Sequence, residues 1–147
     1  MLHVYPPPYF WILHIDGSAK PNPGRMAAAA VLTGPDASCH HCAHVLPDTG
    51  CNNEAEARAL LMGLQLALQQ GADHLRIYTD SQWLVQQLAQ PSGRGPLVRP
   101  TVRLLPLLQT LHAVLKTFHT LQWRWVPRHC NTEADTLATQ ARCSADN

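Results

Sequence analysis

The chain has 147 residues, of which 46% are hydrophobic and 14% are charged. This length and composition indicate one globular domain with one core, because two ordinary domains would need a longer chain. The formal net charge is only +1, so the net field of the protein is too weak to attract a polyanion, and local clusters of charge would have to hold one.

The first part of the chain predicts three consecutive strands. Met1 to Pro8 contains three consecutive prolines and is expected to form a stiff leader that cannot join the interior of a sheet. The domain is predicted to cover residues 9–142, followed by a tail over residues 143–147. Short turns separate the strands, so an antiparallel meander is expected. The predicted strands are Phe10–Ile15, Met26–Thr33 and Ala37–Val45. The first turn is expected over Asp16-Gly17-Ser18 and Pro21-Asn22-Pro23-Gly24.

Asn53 to Gln70 has the clearest helical pattern, because apolar residues recur at helical spacing and Gly71 stands where a glycine commonly follows a helix. After it, strands and helices alternate. Pro106 falls in the first turns of its helix, so that helix is expected to start late. The predicted elements are a strand over His74–Thr79, a helix over Gln82–Ala89, a loop over Pro91–Pro100, a helix over Val102–Phe118, a strand over Leu121–Val126 and a helix over Asn131–Ala141.

The predicted order of elements, βββαβααβα, indicates an α/β fold. A strand–helix–strand connection makes its two strands parallel and is nearly always right-handed. We therefore expect a five-stranded mixed sheet, with three antiparallel strands followed by two that are parallel to the first, and with helices on both faces. Asp16 after the first strand and Asp80 after the fourth would lie at one edge, which is where open α/β sheets bind ligands.

Four acidic residues are the candidate functional groups: Asp16, Glu56, Asp80 and Asp135. Each also has a structural interpretation. Asp16-Gly17 is a common turn pair, and Asp80 can cap the helix that follows it. Asn53-x-x-Glu56 and Thr132-x-x-Asp135 have the form of capping boxes. If the fold brings all four acids together, their repulsion requires protons or hard cations, and oxygen ligands without Cys or His suit Mg²⁺ or Mn²⁺. Two such ions are expected.

Four short motifs occur in order along the chain. They are Asp16-Gly17-Ser18-x-x-x-Asn22-Pro23-Gly24, Asn52-Asn53-x-x-Glu56, Thr79-Asp80-Ser81 and Asn131-x-x-x-Asp135. In this order and spacing they resemble the motifs of type I ribonuclease H, in the short-loop subgroup that lacks a basic protrusion. The similarity runs from about Phe10 to Arg142, and four ordered motifs are far more specific than Asp-Gly-Ser alone.

This resemblance implies an endonuclease that hydrolyses the RNA strand of an RNA/DNA hybrid and leaves 5′-phosphate and 3′-hydroxyl ends. The four matching carboxylates would be catalytic and would hold two divalent ions, Mg²⁺ with Mn²⁺ as the alternative, and Asp16 would bridge both. Paired metals can activate a water and stabilise charge on the phosphate without a covalent intermediate. The hybrid is the implied partner, and neither a membrane nor a protein partner is implied.

The resemblance also implies contacts with the nucleic acid. A hybrid-specific enzyme senses 2′-hydroxyls and backbone shape without reading sequence, and an Asn side chain offers both a donor and an acceptor. Two structural alternatives stay open, with Asn22 as a turn residue and Asn52 or Asn53 as a helix cap. The implied substrate-binding residues are Gly17, Ser18, Asn22, Asn52, Asn53, Ser81 and Asn131.

Several residues have no fixed counterpart in the family. His129 is predicted to take the catalytic part that a mobile His plays in many relatives, and an exposed loop His is the alternative. Arg94, Arg99 and Arg103 are candidates for contacts with DNA phosphates or for solvated charges. Trp83 is a candidate for stacking on a sugar or for packing in the core.

The cysteines and the hydropathy of the chain bear on its compartment. The cysteines are Cys39, Cys42, Cys51, Cys130 and Cys143. Their odd number, without a secretory segment upstream, predicts reduced thiols in a cytoplasmic setting, and no apolar run approaches the roughly 20 residues that span a bilayer. Cys39-His40-His41-Cys42 does not predict zinc, because alternate residues of a strand point to opposite faces. Cys51 stands where relatives often have Thr, which is a stronger hydrogen-bond partner.

Two other functions are alternatives. A non-catalytic nucleic-acid-binding module does not need clustered carboxylates that repel phosphate, so the four intact acids weigh against it. Another nuclease of the same superfamily, either a 3′ exonuclease or a strand transferase, is disfavoured by the Asn52-Asn53 pair and by the small single domain.

Overall fold

The computed structural model describes residues 7–89 and 102–145. Within these residues the chain forms five strands and four α-helices. The strands are β1 (Trp11–Lys20), β2 (Gly24–Thr33), β3 (Cys39–Gly50), β4 (His74–Thr79) and β5 (Thr120–Trp125). The helices are α1 (Asn52–Gln69), α2 (Gln82–Leu88), α3 (Leu105–Leu115) and α4 (Thr132–Ala145), with short 3₁₀ turns at Val102–Leu104 and Arg128–Cys130.

The five strands form one sheet in the order β3-β2-β1-β4-β5. β1 is antiparallel to β2 and parallel to β4, β2 is antiparallel to β3, and β5 is parallel to β4. The predicted mixed sheet is therefore confirmed, with β1 at its centre. Because β1, β4 and β5 run in the same direction, their carboxyl ends lie toward the same edge of the sheet.

β1 is longer than the sequence predicts. The predicted end at Ile15, followed by a turn at Asp16-Gly17-Ser18, is wrong, because pairing with β2 continues as far as Lys20↔Arg25. The turn is confined to residues 21–23, so the part of the predicted turn at Pro21-Asn22-Pro23-Gly24 is confirmed. Pairing with β4 stops earlier, at His14↔Tyr78. Asp16 therefore lies within a strand on the β2 side and at the edge of the sheet on the β4 side.

β2 is rich in alanine and is packed on both faces. The four residues Ala27 to Ala30 are each 0% exposed. Ala28 and Ala30 belong to the large core beneath α1, whereas Ala27 and Ala29 pack with Ala138 of α4 on the opposite face. Alanine is a weak strand former, but burial between two helices favours it, because larger side chains would not fit a close-packed interior. The prediction of helices on both faces is confirmed.

α1 begins and ends one residue before its prediction, and Gly71 follows it with a φ of +80°, as expected for a glycine after a helix. The N-cap of α1 is Cys51, whose Sγ accepts a hydrogen bond from the backbone N–H of Glu54 at 3.4 Å. The proposed capping by Asn52 or Asn53 is therefore wrong, and so is the capping box that starts at Asn53. A thiol is a weak acceptor and gives little signal as a cap in a sequence.

The second half of the chain follows the predicted order with shifted boundaries. The helix predicted over Val102–Phe118 is a 3₁₀ turn followed by α3, and Pro106 lies in the first turn of α3, so the late start is confirmed. α4 continues to Ala145, beyond its predicted end. The predicted loop Pro91–Pro100, with Arg94 and Arg99, and the leader up to residue 6 lie outside the described residues.

β3 presents alternate residues to opposite faces of the sheet, as expected. Cys42 packs against the core on the α1 side, whereas Ala43 and Val45 pack on the α4 side. All five cysteines lie in the described ranges, and all are free thiols. In residues 7–89 and 102–145, no helix combines the length and the hydrophobicity needed to cross a bilayer.

Candidate metal centre

Three carboxylates meet at the edge where β4 ends. The parallel register pairs His14 with Tyr78, and two residues further along each chain segment are Asp16 and Asp80. Because residues two apart in a strand share a face, this register brings the two acids side by side. Together with Glu56, each offers a carboxylate oxygen, and the three oxygens lie within 4.8 Å of one another.

Gly17 lets α1 approach β1 closely enough to bring Glu56 to these acids. A Cβ at Gly17 would lie 2.7 Å from the backbone N of Glu56 and would overlap the carbonyl group of Ala55. The backbone of Gly17 also acts on the Glu56 carboxylate and opposes the rise in the Glu56 pKa. Gly17, which was expected only to bind substrate, therefore permits the contact between a helix and a strand that builds the site.

Asp135 supplies a fourth carboxylate from the start of α4. Contact with its carboxyl group contributes to the raised pKa of Asp16, and the backbone N–H of Asp135 donates to the carbonyl oxygen of Asn131 at 3.2 Å. Asn131 is 1% exposed, and its Nδ2 donates to the carbonyl oxygen of Ile15 at 2.7 Å. The start of α4 is thereby fastened to β1 beside Asp16. The fold brings together all four acids that the sequence singles out.

Burial and mutual repulsion raise the pKa of two of these acids. Burial, then the charge of Asp80, then contact with Asp135, raises the pKa of Asp16 to about 7, against an opposing effect of the Arg128 charge. Burial, followed by the charges of Asp16 and Asp80, raises the pKa of Glu56 well above its ordinary value. The cluster alone therefore holds protons near neutral pH, and cation binding would displace them.

The buried oxygens of the cluster fit divalent cations. Glu56 Oε2 and Asp80 Oδ2 are buried and have no hydrogen-bond partner among the described residues, which is rare for buried polar atoms. Asp16, Glu56 and Asp80 offer carboxylate oxygens within 4.8 Å of one another, a ligand set that suits Mg²⁺ or Mn²⁺ better than zinc. Asp16, Glu56, Asp80 and Asp135 are the residues that would hold such ions.

Asn22 and Asn52, two of the residues expected to bind substrate, join the β1–β2 turn to the start of α1. Asn22 Oδ1 accepts a hydrogen bond from the backbone N–H of Asn52 at 3.0 Å, and Asn52 Oδ1 accepts one from the N–H of Ala19 at 2.8 Å. Asn22 lies in the turn between β1 and β2, as its alternative interpretation as a turn residue predicts. The oxygens of both amides are thus used within the protein. Asn53 is half-buried beside them in the first turn of α1.

Ser18 and Ser81 also make contacts within the protein. The carbonyl oxygen and Oγ of Ser18 accept hydrogen bonds from Nη2 of Arg142 at 2.9 and 3.2 Å. Ser81 is the N-cap of α2, and its Oγ accepts from the N–H of Leu84 at 3.1 Å. The interpretation of Asp80 as the cap of this helix is therefore wrong. Contacts of these serines with substrate stay a prediction.

The other candidates lie in varied surroundings. His129 is exposed in the turn Arg128–Cys130, and no hydrogen bond or ion pair found in the described part of the chain joins it to the four acids, so its catalytic part stays a prediction. Arg103 forms an ion pair with the buried Glu54, and its Nη2 lies 3.7 Å from Cys51 Sγ. Trp83 is half-buried against the core, which favours the packing interpretation.

Two residues next to the acids are not among those predicted from the sequence. Arg128 is exposed, and its charge acts on Asp16. Trp125 is 46% exposed, and its Nε1 donates to the backbone carbonyl oxygen of Asp80 at 3.1 Å. The parallel register, which pairs Thr79 with Trp125, would have indicated the tryptophan. No local pattern indicates Arg128, because its position depends on how the last strand joins α4.

The sheet order and the acid cluster together define a class of protein. The sheet has three antiparallel strands followed by two parallel ones. The acids come from β1, α1, α4 and the residue after β4. This is the architecture that the resemblance to ribonuclease H implies. The class defined by fold and site is thus the ribonuclease H-like nucleases.

Comparison with known proteins agrees with this class. Residues 14–141 match the family model described as Reverse transcriptase-like. A ribonuclease H from Rickettsia canadensis is 31% identical over 144 residues, which cover 91% of this chain and 90% of the relative. A bifunctional protein from Mycobacterium tuberculosis is 34% identical over 140 residues, which cover 91% of this chain but only 36% of that relative. The chain thus corresponds to about a third of the mycobacterial protein.

A solved structure extends the likeness to the fold. The N-terminal RNase H domain of the Mycobacterium tuberculosis protein, solved as a fusion with maltose-binding protein, superposes with a TM-score of 0.81 at 31% identity, and the match covers 94% of this chain and 96% of that one. The chain belongs to the ribonuclease H family of enzymes.

Proposed function

We propose that the chain is a type I ribonuclease H that hydrolyses the RNA strand of RNA/DNA hybrids with two divalent cations and leaves 5′-phosphate and 3′-hydroxyl ends. The observation that carries this proposal is the meeting of four carboxylates, two of which have a buried oxygen without a hydrogen-bond partner among the described residues. When bound, the ions would activate a water and stabilise charge on the scissile phosphate.

The buried acids have separate proposed roles in the cation site. Asp16 is central, because Asp80 and Asp135 both act on it and it acts in turn on Glu56, and this supports its assignment as an acid that would help to hold both ions. Burial of Asp16 and Glu56 excludes water from part of the site and strengthens their interaction with a cation. Mg²⁺ is the ion we propose, with Mn²⁺ as the alternative.

The hybrid itself would be recognised beside the Asn22–Asn52 contact. The two asparagines hold the β1–β2 turn against α1, and their Nδ2 groups, together with Asn53, are donors of the kind that recognise 2′-hydroxyl and phosphate oxygens. Such contacts read the shape of the hybrid and not its sequence. We assign the catalytic domain to residues 9–142, and the five free thiols support a reducing, cytoplasmic setting.

Cleavage of labelled duplexes tests the proposal. RNA/DNA hybrid, duplex DNA and duplex RNA would be incubated with Mg²⁺, with Mn²⁺ and with a chelator. We expect metal-dependent cleavage of the RNA strand of the hybrid, and a loss of at least about a hundredfold in Asp16→Asn, since one ligand of both ions is removed. Asp73→Asn is the matched control, because Asp73 is exposed in the connection that precedes β4, at the opposite edge of the sheet.

Four results would contradict it. Cleavage in chelator, or full activity of Asp16→Asn, would exclude the metal mechanism. Binding of the hybrid without cleavage under all metal conditions would favour the non-catalytic module. Release of mononucleotides from a 3′ end, in place of internal cuts, would indicate the exonuclease.

A further inference from the structure

His14 stands two residues before Asp16 on β1 and has no part in the motifs of the site. We propose that His14 is a positioning residue, which fixes the side chain of Asn131 and through it the place of Asp135. This inference rests on the proposed function, because it concerns the same cation site. It joins a metal-binding acid on α4 to a side chain of the central strand.

The link begins at the buried amide of Asn131. Its Nδ2 donates to the carbonyl oxygen of Ile15 at 2.7 Å, and its Oδ1 lies 3.3 Å from Nδ1 of His14. Because an amide oxygen only accepts hydrogen bonds, Nδ1 of His14 must be the donor. A side-chain amide held at one end can still rotate, whereas bonds at both ends fix its plane. Asn131 therefore depends on His14 for its second contact with β1.

The ring of His14 is itself held in place. It stacks on the ring of Tyr78 in the neighbouring strand, with centroids 4.7 Å apart and planes 6° from parallel. This register is that of the pair His14↔Tyr78, the last pair in the β1–β4 ladder. The imidazole is thus fixed by β4 on one side, and it presents Nδ1 to the start of α4 on the other.

Asp135 is the acid whose position depends on this link. Its backbone N–H donates to the carbonyl oxygen of Asn131, one turn earlier, so the two residues move together. The other three acids lie within 4.8 Å of one another, and two of them, Asp16 and Asp80, are set by adjacent strands. Asp135 instead lies in the first turn of α4. Asn131 holds the start of that helix against the sheet.

Two substitutions separate the hydrogen bond from the ring. His14→Phe keeps an aromatic ring to stack on Tyr78 but removes the donor, whereas His14→Gln keeps an N–H donor and removes the ring. Titration of Mn²⁺ alone, followed by calorimetry, measures the cation site without turnover. We expect His14→Phe to weaken Mn²⁺ binding about fivefold, the effect of one lost hydrogen bond, and His14→Gln to retain most of the affinity.

A second background decides whether Asp135 carries the effect. In Asp135→Asn, the His14→Phe substitution should change Mn²⁺ affinity by less than about twofold, because the coupled pair has already been broken. Hydrogen exchange should also be faster over residues 131–136 in His14→Phe than in the wild type. A purely structural His14 would instead weaken binding equally in both backgrounds.

The outcomes distinguish the two proposals. If the wild type binds Mn²⁺ and His14→Phe binds it equally well with unchanged exchange over residues 131–136, the positioning role is excluded and the proposed function stands. An equal loss in both backgrounds also excludes it. If the wild type binds no Mn²⁺, both the proposed cation site and the positioning role of His14 are excluded.

Discussion

At Gly17 the backbone of α1 stands closer to β1 than any side chain permits. The overlap that a Cβ would have with Ala55 and Glu56 involves backbone atoms, so it cannot be relieved by rotation of a side chain. We expect Gly17→Ala to destabilise the protein by about 1–3 kcal/mol, as overpacking does, and to lower cleavage of the hybrid at least about tenfold because Glu56 is displaced. Urea unfolding and initial rates of cleavage measure the two effects.

Gly71→Ala provides the matched control for this prediction. Gly71 has a φ of +80° and no neighbour within 4 Å of its potential Cβ, so alanine there is strained by about 1–2 kcal/mol without touching the site. Equal loss of activity in the two variants would show that Gly17 acts only through stability.

At the scale of single residues, the sequence predicts which acids come together but not which residues cap the helices. The four acids are found because motif order and spacing survive in the sequence. The caps are not, because the side chain that accepts from the backbone is chosen by local geometry. Cys51 caps α1 where Asn53 was expected, and Ser81 caps α2 where Asp80 was expected. Helix capping therefore explains the position of neither Glu56 nor Asp80 in the cluster.

Among the elements, the 3₁₀ turn Val102–Leu104 is attached to the start of α1 by an ion pair between Arg103 and Glu54. Glu54 is 5% exposed and is also paired with Arg58 at 3.1 Å. We expect Arg103→Ala to lower the free energy of unfolding, because the buried Glu54 carboxylate loses one charged partner. Activity should stay near that of the wild type. Thermal unfolding and steady-state kinetics are the measurements.

Arg58→Ala is the comparison for this pair, because its bond to Glu54 lies within one helix and such pairs contribute about 0.5 kcal/mol. The kinetics also test the expectation that Arg103 touches DNA phosphates. A rise in KM of about tenfold with unchanged stability would assign Arg103 to the substrate and not to the fold.

Elements with local signals were predicted well, and elements with distant causes less so. α1 and β4 were located to within one residue because apolar periodicity and flanking glycine lie inside the segment. β1 was cut short at Ile15 because Asp-Gly-Ser has the composition of a turn. The strand is extended by its pairing with β2, which continues as far as Lys20↔Arg25. The sequence of β1 alone does not contain that information.

For the whole molecule, the buried acids make stability depend on pH. In the folded protein without cations Asp16 keeps its proton up to about pH 7, whereas its ordinary pKa is 3.8. Between these values the folded state binds more protons than the unfolded state, so stability falls as pH rises. Glu56 acts in the same direction. We expect chelated protein to lose on the order of 1–4 kcal/mol across this window, measured by urea unfolding.

Asp16→Asn should reduce this loss, because the variant cannot ionise at position 16 and no longer repels Glu56. Added Mg²⁺ should also oppose it in the wild type, since a cation that binds only the folded state stabilises it by about 2.7 kcal/mol at a hundred times its Kd. A stability profile in chelator that is flat, or that rises with pH, would contradict the burial of an ionisable Asp16.

The alanines of β2 lie between α1 and α4, the two helices that carry Glu56 and Asp135. Ala28 packs in the core on the side of α1, and Ala29 packs with Ala138 on the side of α4. Adding two methyl groups at Ala28 would push away the element that carries Glu56, and the same change at Ala29 would push away the one that carries Asp135. The distance between Glu56 and Asp135 therefore depends on the side-chain volume of a strand that carries neither acid.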